Sequence, residues 1–284
     1  MVDADIHILH SSDCFQILDF RCHCTTCSLT QPEYNGSFCV SFVKSGYFEY
    51  RVFNNRLEAH VERILLSRPG FEHITRHIDN RPDNNTIFEF KPEFYLLLKD
   101  EYRPEGSWFL ENPDIHAILL NSTPELECLH DTILRRITEN GHDHLLVDNM
   151  VFGLLDKIML LLCGKKTADP LPEGLKKYHL PTMEKARAFI LDHFRENITL
   201  QHLAGHCLVS PFHFSRLFRQ FSNCSPYQYL VTVRLQHARI LLETTRLPVG
   251  EIAFGCGFNS LEHFVTGFRQ KYSVSPGAYR KQMA

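Results

Sequence analysis

The stretch HLAGHCLVSPFHFSRLFRQF, residues 202–221, has a near copy in EIAFGCGFNSLEHFVTGFRQKY, residues 251–272. An arrangement that occurs twice in one chain requires the same supersecondary unit twice, each copy with its own small core. In the first copy Thr199 caps a short helix whose Leu200 and Leu203 are expected to face inward, with the small Ala204 beside them. A turn at Leu208-Val209 leads to Ser210-Pro211, a cap and first-turn pair that opens a second helix with Phe214, Leu217, Phe218 and Phe221 inward. In the second copy Pro248 starts the helix, Ile252 faces inward, Ala253 is the small residue and Gly257 supplies the turn. Ser260 then caps a helix carrying Phe264 and Phe268. A long helix from about Pro226 to Thr244 joins the two, with Leu230, Val233, Leu241 and Leu242 available to both cores. Two short helices crossing at a tight turn are a helix-turn-helix, and the small residue lets them touch.

Charge supports a polyanionic partner for this part of the chain. The whole carries a net charge of −3, but residues 182–284 hold twelve Lys/Arg against six Asp/Glu, a net +6, which leaves −9 for the remainder. The first turn of a helix suits phosphate contact, and its polar side chains can reach base edges in a major groove. Two such units on one rigid helix would meet successive major-groove segments roughly 34 Å apart.

The residues before 182 have a different pattern. From about 14 to 98, short β-rich runs (FQILDF, SFCVSFV, YFEYRVF, ERILLS, TIFEF, FYLLLK) alternate with turn chemistry (QPEYNGS, SRPG, NRPDNN) and predict an antiparallel β-barrel. After Trp108 the pattern becomes helical. Thr123-Pro124 opens a helix with Leu126, Leu129, Ile133 and Ile137 on one face, Gly141 breaks it, and a second helix of about 145–163 is apolar on more than one face. A helix that apolar must be buried, either on the barrel or in a dimer. Residues 164–181 hold three prolines, two glycines and several charges, the composition of a linker. The expected architecture is α+β and multidomain: a β-barrel at 1–122, a dimerising helical pair at 123–163, a linker at 164–181 and an all-α domain with two helix-turn-helix units at 182–284.

The first unit's L-x-x-L-A ending in S-x-L-F-R, the second's E-I-A-F-x-x-G-F-x-S-x-x-H-F and the closing F-R-Q-K-Y-x-V-S-P-x-x-Y-R together resemble the DNA-binding domain of the AraC/XylS family of bacterial transcription regulators. The resemblance implies DNA contact by Phe212, His213, Ser215, Arg216 and Arg219 in the first unit. In the second it implies Asn259, Leu261, Glu262, Val265 and Thr266, with Ser210, Ser260, Arg269 and Lys271 serving phosphates. Members of the family often carry Arg or Lys where Thr266 stands, and Gly267 weakens the same helix, so the second unit is expected to read bases less strongly.

Two stretches of the N-terminal part bear on chemistry. In RCHCTTC, Cys22, Cys24 and Cys27 with His23 suit packed reduced thiols, a thiophilic metal or a redox switch. Strand alternation puts Cys22 and Cys24 on one face and His23 on the other, and Cys39 is a candidate on a neighbouring strand. Arg68 to His73, with Asn80, resembles a diverged second motif of the cupin barrel, but no upstream H-x-H and Glu complete a catalytic metal set. The resemblance therefore implies an effector-binding barrel without cofactor; Phe42, Tyr47, His73, His77 and Phe88 are candidates to line its pocket, and a surface turn with core aromatics is the alternative reading of the same residues. A barrel enzyme or thiol acceptor fused to a DNA-binding domain is the competing class, and a metal or thiol sensor using Cys22, Cys24 and Cys27 is a third. The N-terminus lacks the features of a signal peptide, and no run reaches ~18 apolar residues. The expectation is a cytoplasmic, nucleoid-associated homodimer that acts as an activator, the commoner role in the family, with promoter DNA, a small effector and RNA polymerase as partners and no membrane.

Overall fold

Alternating apolar residues near the N-terminus form β1 (Ala4–Ser11) and β2 (Phe15–Cys22), where Phe15, Ile17 and Asp19 are buried and the residues between them are half-exposed. They are followed by β3 (Glu33–Asn35), β4 (Phe38–Ser45), β5 (Tyr47–Val52), β6 (Asn55–His60), β7 (Arg63–Ser67), β8 (Phe71–His77) and β9 (Asn84–Phe90). The helices α1 (Pro92–Glu101) and α2 (Ser107–Leu110) precede β10 (Ala117–Asn121). All pairings are antiparallel, in a six-stranded sheet of order β1-β2-β9-β4-β7-β10 and a four-stranded sheet of order β3-β8-β5-β6. Val43, Leu65 and Ala117 of the first sheet share a buried cluster with Phe48, Tyr50, Val52 and Ala59 of the second. One core thus joins the two layers, as an antiparallel barrel or sandwich requires.

The remaining helices are α3 (Pro124–Thr138), α4 (His144–Cys163), α5 (Glu173–His193), α6 (Leu200–His206), α7 (Pro211–Ser222), α8 (Pro226–Thr244), α9 (Val249–Gly255), α10 (Leu261–Tyr272) and α11 (Pro276–Met283). The computed structural model describes residues 4–24, 29–78, 81–102, 105–138, 143–164 and 173–283. The chain divides into two compact units: residues 1–122 with 133–184, and residues 123–132 with 185–284.

Several expectations change on the residues themselves. FYLLLK is helix, not strand: Pro92 sits in the first turn of α1 with Glu93, Tyr95 and Leu98 are buried, and Leu96 and Leu97 are exposed. A short apolar run does not distinguish strand from helix, and the proline start decides it here. Conversely, AILLN after Trp108 forms β10, paired with β7. Residues 173–181, expected as linker, are the first turns of α5, which continues through Pro181. Pro181 removes one helical hydrogen bond, but Leu180 and Met183 on either side are fully buried, and that packing holds the helix together. Gly141 and Asn80 lie outside the described residues.

In the second unit, α8 supports both repeats. Leu230 and Val233 are buried in it, and Leu235, Ala238 and Leu242 pack with Ile252, Ala253, Cys256, Phe258, Phe264 and Phe268 in one cluster. Ser225 and Gln228 form a reciprocal capping box at its start. Arg234, buried within it, donates to the carbonyls of Phe194 (2.7 Å) and Glu196 (2.6 Å), so a cation binds the carbonyls that follow α5.

Candidate nucleic-acid interface

The two repeats share the start of the second helix and the turn before it, whereas the first helix has a side-chain cap only in the first repeat, since Pro248 at the start of α9 provides none. Thr199 Oγ1 accepts from the His202 amide (3.1 Å) at the start of α6, and Ser210 Oγ accepts from the His213 amide (3.4 Å) at the start of α7. Ser260 Oγ accepts from the His263 amide (3.1 Å) at the start of α10. Between the helices, the Val209 amide donates to Ala204 O (3.0 Å) and the Phe258 amide donates to Ala253 O (3.1 Å), the same bond in the same place. Ala204 and Ala253 are completely buried, as the helix contact demands. Phe214, Leu217, Phe218 and Phe221 of α7 are buried, and so are Phe264 and Phe268 of α10. Leu200 departs from expectation. It is 40% exposed, because as the first residue of α6 it lies ahead of the turn that meets α7.

With the apolar face turned inward, the opposite face of each second helix is presented to solvent. On α7 and its cap, Ser210, His213, Arg216 and Arg219 are exposed and Ser215 is half-buried. The side chain of Phe212 lies outside what is described. On α10 and its cap, Asn259, Ser260, Leu261, Glu262, Thr266, Arg269 and Lys271 are exposed and Val265 is half-buried. Lys271 Nζ lies 3.8 Å from Glu125 Oε2 at the start of α3. Sequence reasoning missed His263, which occupies in α10 the place of His213 in α7 and is also exposed. Its ring is held by the Tyr227 hydroxyl at 3.4 Å and by an edge contact with Phe258. The signal was in the repeat: superposing S-P-F-H-F on S-L-E-H-F pairs the two histidines.

The net charge overcounts what DNA would meet. Arg187 and Arg234 are buried: Arg187 binds Glu127 at 2.6 Å, and Arg234 binds the carbonyls described above. Arg239 lies against Glu243 (3.5 Å) and the Tyr272 ring. Lys185, Arg195, Arg216, Arg219, Arg246, Arg269, Lys271 and Lys281 are exposed, and Arg280 is half-buried.

In the N-terminal unit the residues expected to line an effector pocket are engaged with protein neighbours. Phe42 and Phe88 are buried in an edge contact of 5.9 Å, and Tyr47 donates to Glu58 Oε2 at 2.7 Å. His73 stacks on Tyr50 at 4.6 Å, and burial pushes its imidazole down to about 4, so it is neutral near pH 7. His77 faces Cys24 and Asp83. Arg68 of the cupin-like stretch donates to the carbonyls of Phe109 (2.9 Å), Asn112 and Ile115 (2.8 Å), which ties down the segment before β10. Cys39 contacts Asn35 Oδ1 at 3.5 Å, and its thiol is pushed up to about 12 by burial and by Glu89. Cys27 lies outside the described residues.

Two helix-turn-helix units on one connecting helix, each showing a capped, polar and partly basic helix, define a DNA-binding domain. Residues 203–282 match the family described as a helix-turn-helix domain. The HTH-type transcriptional activator RhaS of Enterobacter sp. (strain 638) is 31% identical over 227 residues, 77% of this chain and 76% of that protein. An uncharacterized HTH-type transcriptional regulator of Escherichia coli (strain K12), YpdC, is 24% identical over 251 residues, 86% and 84% of the two chains. The regulatory protein PocR of Salmonella typhimurium (strain LT2) is 33% identical over 120 residues, 42% of this chain, which spans only 38% of PocR. The chain belongs to the AraC/XylS family of helix-turn-helix transcription regulators. Among the described residues no helix is long and apolar enough to cross a membrane.

Proposed function

We propose that this protein is a sequence-specific regulator of transcription, not an enzyme, that binds promoter DNA through α7 and α10 and responds to a small molecule bound by its β domain. The observation that carries this reading is the doubled, capped helix with exposed Arg216 and Arg219 in one copy and Arg269 and Lys271 in the other. Ser210 and Ser260 leave their helix starts open to phosphate oxygens, while Arg216, Ser215 and His213 in α7 and Thr266, Glu262 and His263 in α10 face the bases. An arginine pairs with guanine through O6 and N7, and Glu262 accepts from a cytosine amino group. Activation through RNA polymerase, a cytoplasmic location and a homodimer formed through α3 and α4 complete the proposal. Leu145 and Leu160, 69% and 67% exposed on α4, support the last of these.

Selection of duplexes bound by the full-length chain tests the proposal. The expected result is a motif of two segments about one helical turn apart, with affinity falling steeply as salt rises because neutralised phosphates release counterions. Binding that ignores sequence at every salt concentration overturns it.

A further inference from the structure

The end of β2 and the end of β8 bring together three donor atoms that DNA binding does not use. Cys22 Sγ, Cys24 Sγ and a ring nitrogen of His77 all lie within 4.8 Å of one another. The two sulfurs are 3.1 Å apart, well beyond the ~2.05 Å of a disulfide, and Cys24 Sγ is 2.8 Å from His77 Nδ1. His23, between the cysteines in sequence, points away and meets Asp5 at 2.8 Å.

What surrounds the three donors is as informative as the donors. His77 Nε2 is bound by the Asp83 carboxylate, which directs Nδ1 toward the sulfurs. Asp83 is held in turn by the Asn85 amide group, and its carbonyl accepts from the Cys22 backbone amide at 3.0 Å. A carboxylate behind a histidine fixes the tautomer and orientation of the ring. The Cys24 amide donates to Cys22 Sγ at 3.4 Å, which fixes the position of that sulfur. Cys22 and His77 are buried, whereas Cys24 is half-buried and gives an ion a way in.

We propose that Cys22, Cys24 and His77 form a binding site for a soft d10 cation, Zn2+ or Cu+, with Asp83 as the positioning residue for His77. Two thiolates and an imidazole suit such ions and reject Mg2+ and Ca2+, which take oxygen ligands. A tetrahedral ion at ~2.3 Å from each sulfur sets the pair roughly 3.8 Å apart, so binding needs the thiols to open by less than about 1 Å. Zn2+ would retain one open position on three protein ligands, whereas Cu+ is satisfied by three.

The test uses full-length protein, reduced and stripped with a chelator, then titrated with Zn2+ against a chromophoric competitor and, in a separate arm, with Cu+ against a copper(I) chelator. One equivalent of one of the two ions is expected. Affinity should fall at least 100-fold in Cys22→Ser, Cys24→Ser and His77→Ala and stay unchanged in Cys39→Ser. Asp83→Asn should weaken binding 10- to 100-fold while leaving the melting temperature of the metal-free protein unchanged, an effect that a purely structural role would not produce. If His77→Ala does not fold, His77→Gln replaces it, and Co2+ in the unaltered protein gives a second readout. A thiolate-to-cobalt charge-transfer band should fall by half in either cysteine variant. Failure to bind either ion stoichiometrically, equal binding in the cysteine variants, or a Cys22–Cys24 disulfide with no metal affinity after reduction would each overturn the site. No DNA enters the assay, so its failure leaves the function proposed for α7 and α10 intact.

Discussion

The two helix-turn-helix units share the serine cap of the second helix, the buried alanine and the cross-turn hydrogen bond, yet they solve the same turn with different residues. Leu208 and Gly257 both occupy the left-handed region, at φ 58° and 84°. Leu208 does so with its side chain 85% exposed. At Gly257 a Cβ would lie 2.7 Å from Arg195 O and 2.8 Å from Phe194 O. The first unit tolerates a side chain because solvent surrounds its turn, and the second excludes one because its turn presses on the backbone after α5. A second difference lies on the second helices, proposed to face DNA, where Arg216 in α7 corresponds to Thr266 in α10. Shared backbone geometry therefore does not imply shared rigidity or equal base readout.

Gly257→Ala tests the first difference hardest. Left-handed strain of roughly 1–2 kcal/mol adds to overpacking of roughly 1–3 kcal/mol. A loss of about 2–5 kcal/mol is therefore expected in urea denaturation followed by circular dichroism. The single tryptophan, Trp108, lies in the other unit and serves as an internal control. A loss below about 1 kcal/mol would mean that the turn is not confined. On the second difference, Arg216→Ala should weaken specific binding by about 1–3 kcal/mol in a shift assay and Thr266→Ala by less. Equal losses would remove the asymmetry between the units.

Smaller effects sharpen the comparison. Ser210→Ala and Ser260→Ala should each cost about 1 kcal/mol of stability, and a marked inequality would show that one cap carries more than its helix. Gly267→Ala should stabilise α10 by up to about 1 kcal/mol, because the new methyl would sit 3.8 Å from Leu235, in ordinary contact. Leu208→Gly should change stability least. It relieves the left-handed strain but adds about 0.5–1 kcal/mol of backbone entropy cost, so a shift of under about 1 kcal/mol in the stabilising direction is expected.

Much of the C-terminal unit was legible because its signals are local. The Ser210-Pro211 start, the extent of α8 and the inward phenylalanines follow from spacing along a helix and from capping chemistry. His263 escaped notice until the repeats were superposed. The β domain was less legible. β6 (NRLEAH) is too polar to announce itself, FYLLLK carries an apolar run common to both secondary structures, and β10 lies beyond the point where the pattern turned helical. The residues proposed to face DNA were named from the resemblance, and the structure adds which of them are exposed.

The chain's own residues determined the doubled helix-turn-helix, its caps and the face each second helix keeps apolar, because helix periodicity and capping act over three or four positions. Tertiary folding alone removed Arg187 and Arg234 from the available positive charge, put Gly257 against the carbonyls after α5, and carried His77 across 53 positions to Cys24. Contacts of that span depend on sheet register and helix packing, which join residues that no short window contains.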